Sequence, residues 1–79
     1  MLLFVGDTVI SERRLINVVF LENVIKVNYD GGEMLEVAGQ MYPRIETLRL
    51  VLENAEEVNK IKRQFYKACK EGLNVFYFG

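Results

Sequence analysis

Histidine is absent from this chain, which removes the commonest general base, the commonest metal ligand and the usual activator of a serine or cysteine nucleophile. The only serine, Ser11, stands beside Arg13 and Arg14 with no base near it. It reads as a loop residue. The only cysteine, Cys69, falls on the apolar side of a helical pattern, where a thiol serves as a small buried hydrophobe. A reactive thiolate needs polar, positive and accessible surroundings. Carboxylates are plentiful but scattered. Asp30-Gly31-Gly32-Glu33 has the character of a hairpin tip, whereas a calcium loop spreads alternating oxygen ligands over about a dozen residues. Glu33 and Glu36 fall on different faces of an extended strand, so they form no catalytic pair. Gly31-Gly32 opens no helix and offers phosphate no cradle of amides. The expectation is a protein without enzymatic activity, metal site or cofactor.

The elements that hold these residues are delimited by turn signals. Leu2 to Val5 is a short apolar run closed by Gly6-Asp7, and Thr8-Val9-Ile10 is a second extended piece. Leu15 to Leu21 is rich in β-branched residues and apolar on both faces, as a central strand would be. After Glu22-Asn23, Val24 to Tyr29 alternates Ile25, Val27 and Tyr29 against Lys26 and Asn28. Asp30-Gly31-Gly32 is then expected to turn the chain, because tight hairpins need positive φ. Glu33 to Ala38 returns as a strand. Gly39 to Arg44, with the only proline, reads as a loop.

Residues 45–53 are ambiguous. Leu48, Leu50 and Leu52 alternate as in a strand, while Ile45, Leu48 and Leu52 also fit a helical stripe. The strand is preferred, because Asn54 with Glu57 makes a capping box that starts a helix there. Val58, Ile61, Phe65, Ala68, Cys69 and Leu73 then share about 140° of helical arc. Lys62 lies inside that arc, its stem packed and its ammonium reaching outward. Gly72 suits the C-terminal cap, and Val75 to Phe78 reads as a last strand. The expected fold is one α+β domain over residues 1–79: an antiparallel meander of five to six strands on one C-terminal amphipathic helix, followed by a short final strand.

A chain of 79 residues buries only about 60–65% of its unfolded surface, yet 51% of its residues are hydrophobic and 11% aromatic. One thin core cannot shelter all of them. The expected function is therefore a protein-interaction or assembly module that self-associates, with a homodimer favoured. The candidate interface is Val75, Phe76, Tyr77 and Phe78, which place large side chains on both faces of an edge strand.

The alternative is single-stranded nucleic-acid binding. Residues 54–79 hold five basic and three acidic side chains, against five and eight before them. Lys60, Arg63, Lys67 and Lys70 form a basic helical stripe, and Lys26, Tyr29, Tyr42, Arg44 and Arg49 offer cations and stacking rings on the strands. A meander followed by a helix is similar, in element order, to the whirly family of single-stranded DNA-binding proteins. Glu56 and Glu71 interrupt the stripe, which makes a solvated face of mixed ion pairs the simpler reading. No run approaches the ~20 apolar residues of a membrane span. Met1 to Val5 lacks the basic start of a signal peptide, and a lone cysteine forms no internal disulfide, so a cytoplasmic protein is expected.

Overall fold

The computed structural model describes residues 1–78. In chain order it holds β1 (Leu2–Val5), β2 (Thr8–Ser11), a 3-10 turn (Glu12–Arg14), β3 (Leu15–Leu21), β4 (Val24–Val37), β5 (Gln40–Val51), α1 (Ala55–Glu71) and β6 (Val75–Tyr77). The class is α+β, with the helix and the short last strand where the residue pattern puts them. The six strands do not form one sheet, however. They divide into a small sheet in the order β2-β1-β6 and a large meander in the order β3-β4-β5. β6 runs parallel to β1, because the helix carries the chain back before it pairs.

The core lies where the two sheets and the helix meet. Leu3, Val5 and Ile10 come from the small sheet, Ile25 and Val27 from β4, and Val58, Phe65 and Ala68 from the helix. Phe76 and Phe78 complete it. The helix starts where expected: the Asn54 side-chain oxygen accepts from the Glu57 amide at 3.0 Å, satisfying one of the donors a first turn leaves open. It ends at Gly72, with the Leu73 amide donating back to the Ala68 carbonyl at 3.1 Å. Residues 45–51 are strand, paired throughout with β4.

Four local expectations are corrected. Asp30-Gly31-Gly32 does not turn the chain; β4 runs through it as one 14-residue strand, and the register slips between Asp30 and Met34. The glycines serve a bulge instead. A Cβ on Gly31 would lie 2.9 Å from Glu46 Cγ and 3.2 Å from the Arg44 carbonyl, and Gly32 has φ +84°. The turn comes later, at Ala38 (φ 53°) and Gly39 (φ 79°), both positive as a two-residue hairpin loop requires. Gln40 to Arg44 is consequently strand and not loop, with Pro43 tolerated because β5 is an edge.

β3 is also an edge strand, not a central one. Leu15, Val18 and Phe20 pack toward the core, and the other face stays open. Cys69, expected to be buried, is exposed. It sits beside Ala68 on the helix, and the Ala68 side chain is the one that reaches the core.

Candidate functional site

The last strand separates its four candidate residues by strict alternation. Phe76 and Phe78 point into the core, their rings 4.9 Å apart and each about 5 Å from Phe65. Val75 and Tyr77 face outward, and Tyr77 is 67% exposed. Tyr77 is not isolated there. Its ring stacks on Phe4 at 4.7 Å, and the register sets Val9 on the other side of Phe4 and Val75 beside Leu2. The outer face of the small sheet is thus apolar and carries no covering element.

Lys60, Arg63, Lys67 and Lys70 are all exposed on one side of the helix. They are brought together, but not as a free cationic stripe. Lys67 lies 3.9 Å from Glu71, and Glu56 shares the same face at helical spacing. Lys62 behaves as expected, its ammonium 5.8 Å from the ring centres of both Phe20 and Tyr66. Among the strand candidates, Tyr29 turns inward against the core, Arg44 is bound in ion pairs, and Lys26 and Arg49 stand side by side on the outer face of the large sheet. Ser11 accepts weakly from the Arg13 amide at 3.4 Å and starts the short 3-10 turn. Among the described residues there is no cluster of three metal-ligating side chains and no helix long and apolar enough to cross a membrane.

The largest unpartnered feature is one the residue pattern did not single out. β3 stops pairing at Tyr29, and beyond it β4 and β5 continue alone as a two-stranded arm with its tip at Ala38-Gly39. At about 3.3 Å per residue, the 12 residues of β5 account for most of the molecule's 44 Å length. Met34, Leu35, Val37, Met41, Tyr42 and Ile45 are 47–57% exposed along it. The register puts Leu35 beside Tyr42 on one face, and Met34 beside Pro43 on the other. Each face of the ribbon carries large apolar side chains, and among the described residues no further strand pairs with it beyond Tyr29.

The root of the arm is braced. Arg14 Nε donates to the Asp30 carbonyl at 2.9 Å, and its guanidinium sits 5.7 Å from the centre of the Tyr29 ring. Arg44 pairs with Glu33 and with Glu46, each at 3.0 Å. Such half-exposed ion pairs contribute little stability, about 0–1 kcal/mol each.

The outer face of the large sheet is ordered in rows. Leu21, Val24 and Val51 form an apolar row, Val19, Lys26 and Arg49 the next, and Asn17, Asn28 and Thr47 a third. In the third row Asn28 donates to Asn17 at 2.7 Å and Thr47 donates to Asn28 at 2.6 Å. The arm could have been noticed in the sequence: apolar residues flank Ala38-Gly39 on both sides with no consistent polar alternation. Set against known protein families, characterised proteins and solved structures, the chain finds no match.

Proposed function

We propose that this chain is a non-enzymatic assembly module that self-associates as a homodimer, in the cytoplasm, with the β4-β5 arm as its principal contact. One observation carries the reading: six large apolar side chains stand about half exposed on the two faces of a ribbon that no other element covers. A monomer has no second layer to give them. Isolated two-stranded ribbons are marginal in water unless a third element packs on them, so a partner that covers the arm also stabilises it.

The magnitude is modest. Fully burying one such side chain is worth about 1.5–3 kcal/mol, and roughly half of that remains to be gained at each of the six. The sum is comparable to the association cost of about 4–15 kcal/mol. A dimer held by the arm alone is therefore weak.

The cytoplasmic setting is supported by the lone, exposed Cys69, which has no partner for a disulfide. The expected result from size-exclusion light scattering at high micromolar concentration is a particle of twice 9.2 kDa. Met41→Ser with Tyr42→Ser should return it toward the single-chain mass, and Tyr77→Lys, on the separate small-sheet face, should not. A wild-type chain that stays at 9.2 kDa at high micromolar concentration overturns the reading.

A further inference from the structure

The outer face of the large sheet contains a local electrostatic conflict. Lys26 and Arg49 are directly opposite each other in the β4-β5 register, and like charges so placed on one sheet face repel. Neither takes part in an ion pair among the described residues. The only carboxylate on that face of the same strands before the bulge is Asp30, and its Oδ1 accepts from the Gly32 amide at 2.8 Å. Two adjacent cations therefore face solvent without a counter-charge.

The complementary group is on the arm. Glu36 is exposed, is paired in register with Met41, and has no cationic partner among the described residues. The arm's other carboxylates, Glu33 and Glu46, are already taken by Arg44. Alternation along β5 puts Met41, Pro43, Ile45, Thr47 and Arg49 on one face, so Glu36 and the Lys26–Arg49 pair belong to the same side of the sheet. They lie toward opposite ends of it, too far apart to meet within one chain.

We propose that two copies pack the outer faces of their large sheets together, strands antiparallel, so that Glu36 of each arm is seated against the partner's Lys26 and the partner's Arg49. This rests on the self-association reading and specifies which surface receives the arm. With the two-fold axis beside Ile45, that side chain meets the partner's Ile45. Asp30, its register neighbour, then faces the partner's Asp30, a like-charge pair that the two Glu36 contacts must outweigh. The row holding Met34 and Pro43 covers the partner's Asn28 and the partner's Thr47. Two of the row's side-chain donors, Asn28 Nδ2 and Thr47 Oγ1, already have acceptors within it, which lowers the cost of an apolar cover. Aligned sheet packing of this kind sets the layers about 10 Å apart, a gap that a glutamate and a lysine or arginine span together. The contact is isologous, so each charge cluster occurs twice.

The test uses two proteins: Glu36→Lys, and the double variant Lys26→Glu with Arg49→Glu. All three side chains face solvent, and far-UV circular dichroism should report an unchanged fold. In each variant alone like charges meet across the interface, and self-association should weaken by about tenfold or more. Mixed in equal amounts, the two are complementary at both contacts, and light scattering should recover the dimer mass. A wild-type monomer would sink self-association and this arrangement together. A wild-type dimer whose charge variants dimerise as well as it does, or whose variants stay monomeric when mixed, overturns this docking and leaves self-association standing.

Discussion

The body and the arm are built from the same kinds of residue, and they differ in what lies across from each side chain. In the body, β1 and β6 present one face to the helix and to the large sheet, so Phe78 is reduced to 1% exposure within an aromatic cluster with Phe65 and Phe76. In the arm, β4 and β5 keep the same alternation and pairing, yet Met41 remains 57% exposed. Backbone hydrogen bonds alone do not make a core. A ribbon becomes part of one only when a second layer meets it, and here Tyr29 is the last residue of β4 packed against the core.

That contrast can be broken first from the body. Phe65→Ala removes the ring on which Phe20, Phe76 and Phe78 converge. The expected loss is about 3–5 kcal/mol, enough to leave so small a domain largely unfolded near 37 °C, as thermal unfolding followed by circular dichroism would show. A body that persists in this variant while only the arm melts would contradict the central place given to Phe65.

Gly31→Ala strikes the arm at its root. The added methyl meets Glu46 Cγ at 2.9 Å and the Arg44 carbonyl at 3.2 Å. The side chain can yield and the backbone of β5 cannot do so freely, so the cost is about 1–3 kcal/mol. It should appear as lost amide-exchange protection from Glu33 to Arg44, with β1 and the helix unaffected. Uniform loss across the whole chain would mean that arm and body unfold as one unit.

The smallest effect is expected at the tip. Ala38 holds φ 53°, a region that alanine disfavours and asparagine tolerates. Ala38→Asn should stabilise the hairpin by about 0.5–1 kcal/mol and slow amide exchange at Val37 and Gln40. No change there would show that the turn does not limit the arm's order.

The parts of the fold legible in the sequence were those that depend on near neighbours. Asn54 and Glu57 marked the helix start, and the apolar arc of Val58, Ile61, Phe65 and Ala68 marked its buried side, because capping and helical periodicity act within one turn. The alternating leucines of residues 45–53 fit strand and helix alike, and the strand is preferred because the Asn54–Glu57 cap starts the helix only afterwards, another local signal. The candidate site was legible only in part. Val75 to Phe78 reads as a last strand, edge or internal, but its edge position and which two side chains face outward depend on the parallel register with β1, a contact more than 70 residues away in sequence.

The hairpin tip shows the same limit in the other direction. Asp30-Gly31-Gly32 and Ala38-Gly39 both carry turn chemistry, and composition ranks the first above the second. The choice between them is made by β5, whose Leu48 and Leu50 must lie beside Val27 and Ile25 to reach the core. That register carries the pairing straight past the two glycines and leaves them as a bulge.

By itself, the sequence determined the helix and its caps, most of the strands though not residues 30–32 and 40–44, the shortage of catalytic groups and the surplus of apolar ones. Only the tertiary structure decided where that surplus is left uncovered, in the arm and on the outer face of the small sheet. The reason is that propensity, capping and periodicity are properties of a few consecutive residues, whereas burial depends on which distant segment arrives opposite.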